Sequence, residues 1–103
     1  MSVRLPGQSS PRGFQTGVEV LDYELAGEMA ASLGRSGDRV VQTLAALRAY
    51  EVRDDDRTVL VKAAAEAVYA YFIQRELVGL RRHNDAIRDY AIPGEVLARL
   101  GAS

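Results

Sequence analysis

The sequence contains no cysteine, only one histidine and only one lysine. Without cysteine the chain forms no disulfide, no thiolate metal site and no cysteine nucleophile, and this composition fits a reducing compartment. The single histidine, His83, excludes a multi-histidine metal site or a histidine dyad within one chain. Apart from Lys62, every basic side chain is arginine, whose planar guanidinium group can bind carboxylates and phosphates in a bidentate manner.

Long apolar runs are also missing from the sequence. Residues 1–15 contain no apolar core of signal-peptide length, and no segment approaches the length that spans a membrane. We therefore expect a cytoplasmic protein without membrane association. The net charge of -1 at pH 7 provides no global field that attracts polyanions, which argues against nucleic acid as a partner.

The N-terminal segment differs in composition from the rest of the chain. Residues 1–15 hold two of the three prolines and few apolar side chains, so they cannot bury enough surface to offset the entropy of ordering. We predict a flexible tail over 1–15 and a single helical domain over 16–103. Thr16 is the predicted N-cap of the first helix, and Glu19 completes a capping box.

A first long helix is predicted over 17–51. Its larger apolar residues share one helical face, and they keep the same phase on both sides of the GRSG segment at 34–37. Two helices joined by a turn have no reason to keep a common phase, so we predict one helix that is weakened or bent near the glycines. In the alternative, one helix ends at Gly34 and another begins with an N-cap at Ser36 or Asp38.

A second long helix is predicted over 56–82, after an N-cap provided by the acidic residues at 54–56. Between Val59 and Val78 this helix is apolar on nearly every face, and such a helix is buried on nearly every face. The first helix and a short terminal helix cover only part of it. We therefore predict a homodimer, in which a second copy covers the remaining faces, with Phe72 at the seam.

The end of the chain completes the predicted fold. After an interruption at 83–85, Pro93 suits the first turn of a final helix that stops at Gly101. No strand-like alternation appears. The predicted fold class is all-α: a long antiparallel helical hairpin plus a short C-terminal helix, assembled as a dimeric four-helix-type bundle.

Polar side chains between Gln74 and Tyr90 fall on helical faces that are apolar elsewhere, so they need partners. The first interpretation is structural. Arg75 pairs with Glu24 or Glu28 of the first helix, and the remaining arginines of the segment pair with aspartates 85 and 89.

The second interpretation of the same segment is a ligand site. In it Gln74, Arg75, Arg81 and Arg88 line an anion-binding pocket between helices. The structural interpretation is the favoured one, because ordinary ion-pair networks place charged groups in the same way as active sites do.

Other polar residues have simpler interpretations. His83 follows two arginines at a predicted helix end, which is typical of a surface residue or a C-terminal cap. The aspartates at 54–56 lack the spacing of a calcium loop, and the glycines of LGRSG match no phosphate-binding pattern. We therefore predict no catalytic residue, no metal site and no cofactor.

Two segments carry a resemblance to a known family. YELAGEMAASLGR (23–35) and QRELVGLRRHNDAIRDYAIPGEVLARLG (74–101) resemble a family of small, uncharacterised bacterial proteins, known as a domain of unknown function. The resemblance covers most of the chain beyond the tail. It implies a bacterial, cytoplasmic, helical protein, and it assigns no activity, cofactor or catalytic residue.

The function predicted from these patterns is a non-enzymatic interaction or regulatory module that forms a homodimer, with another protein as a further candidate partner. The alternative is binding, or even turnover, of a small anion or metabolite at the arginine-lined pocket. A second alternative is a DNA-associated regulator, which ranks last because the basic residues alternate with acids instead of forming a basic recognition helix.

Overall fold

The computed structural model describes residues 12–51 and 56–101, with side chains from residue 17 onward. Over these ranges the fold is all-α, as predicted, and contains no strand. None of the described helices combines the length and the apolar character that a membrane crossing requires. The four helices, in chain order, are α1 (Arg12–Arg48), α2 (Arg57–Leu77), α3 (Asn84–Asp89) and α4 (Gly94–Leu97).

Helix α1 is uninterrupted over 37 residues. The predicted continuity through Gly34 and Gly37 is confirmed, and the two-helix alternative is wrong. The helix begins at Arg12, before Thr16, so the predicted N-cap at Thr16 is also wrong. The predicted flexible tail lies mostly outside the described residues, since only its last part, from Arg12, belongs to them.

The chain divides into two compact units between Ala31 and Ser32, with α1 continuing through the boundary. The hydrophobic core lies in the second unit, where the C-terminal part of α1 and α2 form the predicted helical hairpin. Short side chains on α2, such as Ala64 and Ala67, allow close approach of the elements around it. The largest fully buried side chains of this core are Val40, Leu44, Val68 and Val96.

Helix α2 has clear signals at both ends. Asp56 is its N-cap, and the carboxylate accepts a hydrogen bond from Val59 N at 3.3 Å, so the predicted acidic cap is confirmed. The helix ends at Leu77, whereas the sequence pattern predicted Arg82. Gly79 has a φ of 97°, which favours glycine, and this left-handed residue stops the helix.

The C-terminal helices are attached to the hairpin by polar and apolar contacts. α4 packs against α2, and Val96 is fully buried between them and the rest of the core. Arg48, at the end of α1, donates to the carbonyl oxygens of Tyr90 and Ala91 at 3.0 and 3.2 Å. Arg57 at the start of α2 pairs with Glu95 of α4. The final helix that the sequence predicted after Pro93 is therefore present, as a short element.

The apolar excess of α2 is partly covered within the chain. Val68, Tyr71 and Phe72 are buried, and the Phe72 ring stacks on His83 with centroids 4.1 Å apart. Phe72 is therefore a core residue of one chain, and the predicted placement of this side chain at a dimer seam is wrong. Leu77 remains 63% exposed, and Val59, Tyr69 and Ile73 of the same helix are also exposed.

At Gly37, α1 passes close to the side chains of Tyr71 and Tyr90. A Cβ atom at this position would lie 2.9 Å from the Tyr90 hydroxyl oxygen and 3.5 Å from the Tyr71 ring. The rings of Tyr71 and Tyr90 meet edge to face at 5.3 Å. The hydrogen bond with Tyr71 is the largest cause that raises the pKa of Tyr90 to about 12, and burial is the second.

The two glycines of α1 give opposite expectations for alanine. Gly34 has no atom within 4 Å of an added Cβ, so Gly34→Ala should stabilise the fold by about 1 kcal/mol through helix propensity. Gly37→Ala should destabilise it, because overpacking against Tyr90 costs roughly 1–3 kcal/mol. Urea unfolding of the two variants checks this. A stabilised Gly37→Ala variant would contradict the packing described here.

Candidate functional site

An open cavity of about 600 Å³ lies where α2 ends and α3 begins. Its lining contains four arginines and a single carboxylate, so its charged groups are mostly positive. The lining comes from the last turn of α2, the connecting segment 78–83 and helix α3. The lining residues are Arg75, Gly79, Leu80, Arg81, Arg82, Asn84, Asp85 and Arg88.

Arg75 is the innermost of these arginines. Its side chain is 9% exposed, which makes it the buried cation of the site. One terminal nitrogen, Nη2, donates to Asp85 Oδ1 at 3.1 Å and to the Arg82 carbonyl oxygen at 3.0 Å. The guanidinium also lies over the Tyr71 ring, 5.7 Å from its centroid. Arg75 therefore has a structural role, since it ties the segment after α2 to the helix.

His83 fixes the orientation of Arg75. Arg75 Nε donates to His83 Nδ1 at 3.2 Å. An arginine Nε always carries its proton, so Nδ1 is the acceptor and the proton of a neutral ring lies on Nε2. That nitrogen is 2.9 Å from Glu76 Oε2, to which it donates. His83 is mostly buried against Phe72, so the prediction of a surface residue or C-terminal cap is wrong.

The other arginines of the cavity are exposed. Arg81 and Arg82 form no ion pair with any residue in the described ranges 17–51 and 56–101. Arg88 pairs with its neighbour Asp89 at 3.3 Å, and both side chains are largely in solvent. An exposed pair of this kind is worth little, so it leaves Arg88 free to bind a competing anion.

Three of the four predicted pocket residues, namely Arg75, Arg81 and Arg88, lie together in the cavity lining. Gln74 does not line it, because its side-chain oxygen accepts a hydrogen bond from Ser32 Oγ at 3.1 Å. Asp85 is the carboxylate that pairs with Arg75, although the sequence had assigned it to the arginines further along the chain.

Sequence reasoning missed Arg82 and Asn84 as lining residues. The reason is that the sequence pattern placed the end of α2 at residue 82 instead of Leu77. A helix that continues to residue 82 does not bring Arg82 and Asn84 to the same side. The signal that corrects this is Gly79, since a glycine after an apolar helical segment is a frequent C-terminal stop. With the stop at Leu77, residues 78–83 leave the helical path, and α3 begins at Asn84 beside the cavity.

A second, smaller cavity of about 200 Å³ lies between α2 and the chain end, lined in part by Lys62, Tyr69 and Arg99. Arg99 Nε is buried there without a hydrogen-bond partner in the described part of the chain. Glu66 lies beside these cations and offsets part of their charge. Among the described residues, no group of three potential ligand side chains is arranged to hold a metal ion.

The 600 Å³ cavity lined by the four arginines is called the arginine cavity below. Its side chains provide hydrogen-bond donors that suit an anion. Guanidinium groups bind carboxylates and phosphates through paired, charge-assisted hydrogen bonds. Arg75 is already held in place by its neighbours, while Arg81, Arg82 and Arg88 present donors from the rim. A fixed inner cation with exposed outer cations favours a ligand that carries more than one negative oxygen.

Arg75 and Arg88 should differ in their contribution to stability. Arg75→Ala removes hydrogen bonds to the Arg82 carbonyl and to His83, and we expect a loss of about 2 kcal/mol in the free energy of unfolding. Arg75→Met keeps the apolar stem on Tyr71 and should recover part of this loss. Arg88→Ala, the exposed control, should change stability by less than about 0.5 kcal/mol. Equal effects of the two alanine variants in thermal or urea unfolding would contradict the assigned role of Arg75.

Comparison with known proteins identifies the family of the chain and assigns no activity or ligand to it. No curated protein and no solved structure matches the chain. A family model does match, over residues 10–103, and its description is a family of unknown function, DUF6665. The matched range contains α1 to α4 and every residue of the arginine cavity. The chain therefore belongs to the DUF6665 family.

Proposed function

We propose that this protein is a non-enzymatic binding module whose arginine cavity recognises an anion with carboxylate or phosphate groups. The observation that carries the proposal is the convergence of four arginines and one aspartate on a cavity of about 600 Å³. That volume falls within the range of small-molecule sites.

The purely structural interpretation accounts for Arg75 but not for its neighbours. Arg75 has a carboxylate, a carbonyl and an imidazole as partners. Arg81 and Arg82 have no comparable partners among the described residues, yet both line the same cavity. Like charges placed together raise the electrostatic energy of the fold, and a bound anion relieves this repulsion.

The lining favours binding over catalysis. Asp85 is its carboxylate, and Asp85 Oδ1 already accepts hydrogen bonds from Arg75 Nη2 at 3.1 Å and from Ala86 N at 2.8 Å, so this oxygen has a structural role. His83 stands behind Arg75, with both ring nitrogens in hydrogen bonds. The side chains that face the cavity thus supply charge and orientation, which is what a receptor requires.

A homodimer is the second part of the proposal. Its support is the set of apolar side chains that remain exposed, because a large exposed apolar surface is typical of an interaction site. Leu21 and Leu25 on α1 are 66% and 60% exposed, and Leu77 on α2 is 63% exposed.

Anion binding is tested with inorganic phosphate and succinate as the probes, by calorimetry and by the shift in melting temperature. Arg81→Gln/Arg82→Gln should weaken binding about tenfold or more, because each charge-assisted hydrogen bond contributes roughly 1.5–3 kcal/mol. The matched control is Arg35→Gln/Arg39→Gln, which removes the same charge from exposed positions on α1.

The control should bind both probes with the affinity of the unmodified protein. Equal weakening in both double variants would show a diffuse charge effect and no defined site. Absence of binding of both probes to the unmodified protein, at concentrations up to the millimolar range, would reject the proposed function.

A further inference from the structure

Within the N-terminal unit, side chains are described for the helix segment 17–31, and this segment presents a largely exposed apolar face. Val18, Leu21 and Leu25 follow helical spacing, so they lie on one face of α1. They are 39%, 66% and 60% exposed. Met29 continues the same face one turn further and is only partly exposed. This face has the pattern of a helix that docks in a groove of a partner.

The same segment is strongly acidic. Residues 17–31 contain four acidic side chains and no basic one. At the helical angle, Asp22 lies beside the apolar face on one edge, and Glu24 and Glu28 lie on the other edge, one turn apart. Isolated helices of this length are marginal in water, so cover for the apolar face would stabilise this end of α1.

The charge pattern decides which surface is the partner. If this face paired with the same face of a second copy, acidic edges would meet acidic edges, which is unfavourable. The arginine cavity is the complementary surface, because its lining contains four arginines and one aspartate. Leu80 in the lining is exposed, and so are Leu77 and Val78, which come just before the lining segment in the sequence.

We propose that the anion held by the arginine cavity is the acidic segment 17–31 of a second copy of this chain. The carboxylates of Glu24 and Glu28 pair with Arg81 and Arg82, while the leucines of the segment cover Leu80 and its neighbours. The proposal rests on the proposed function, since it names the source of the carboxylates that the cavity binds. Reciprocal exchange gives a closed dimer with two identical contacts.

The two symmetry-related contacts of the proposed dimer together bury more surface than one contact, which favours a stable complex. Stable protein interfaces bury roughly 1,200–2,000 Å² in total. A helix of 15 residues is about 22 Å long, so one docked face is a small interface and the second, symmetry-related contact doubles its area. The loss of either partner surface therefore weakens both contacts at once.

The decisive experiment uses paired charge reversals, with sedimentation velocity to measure the oligomeric state. Arg81→Glu/Arg82→Glu should convert the dimer to a monomer, because its cavity then repels the acidic segment. Glu24→Arg/Glu28→Arg should do the same, because its segment repels the arginine cavity. An equimolar mixture of the two variants should form a heterodimer, because both of its contacts join opposite charges. Circular dichroism confirms that each variant is folded.

Two controls separate this interface from other ones. Tyr23→Asp places a charge on an exposed position of the same segment but on the opposite face, and it should leave the dimer intact. Ile73→Glu, on the exposed face of α2, should also leave it intact. If Ile73→Glu dissociates the dimer while the charge reversals do not, the interface lies along α2 and the proposal is overturned.

Other outcomes distinguish this proposal from the proposed function. A monomeric unmodified protein at high micromolar concentration that binds phosphate or succinate at Arg81 and Arg82 overturns the dimer contact and keeps the anion site. A dimer that resists both charge-reversal variants also overturns the contact. If the contact is correct, succinate at high concentration should compete with the segment and shift the equilibrium of the unmodified protein towards monomer.

Discussion

The hydrogen bonds of Arg75 determine the geometry of the segment that connects α2 to α3. Its carbonyl oxygen accepts from Leu80 N at 2.9 Å, and the Glu76 carbonyl accepts from Gly79 N at 3.0 Å, which together close the helix in a Schellman motif. Its guanidinium then binds the Arg82 carbonyl and the Asp85 side chain. One residue thus ends the helix through its main chain and orients the next segment through its side chain. The arginine cavity is the space that this turn creates.

The sequence predicted the long helices because their signals are local and repeated. The constant apolar phase around Gly34 outweighed the helix-breaking tendency of two glycines, and Asp56 provided a cap of the expected type. The stop at Gly79 was missed, because the apolar and arginine residues after it continue a plausible helical pattern. A single glycine is a weak signal against such a pattern, and only the backbone φ of 97° decides it.

The candidate site was predictable in composition and not in geometry. The abundance of arginine between residues 74 and 90 drew attention to Arg75, Arg81 and Arg88, and the fold places them in one cavity. The pairing of Arg75 with Asp85 and His83 depends on the turn after α2, so helical projection could not find it. Helical projection also could not predict the burial of Phe72, because this burial depends on stacking with the His83 ring, which lies outside α2. Tertiary contacts between short, irregular segments leave little trace in a single sequence.

The use of arginine in place of lysine has a consequence for how occupancy of the cavity is controlled. A guanidinium group keeps its charge at every physiological pH, and it offers no amine for acetylation. The rim arginines are in solvent, where ions screen attraction beyond about 8 Å at physiological ionic strength, while the buried Arg75 is screened much less. The long-range attraction of the rim arginines for any anion therefore weakens as the salt concentration rises, and that of Arg75 weakens less. For the proposed anion site, this difference in burial would make occupancy sensitive to the ionic strength and the anion content of the surroundings.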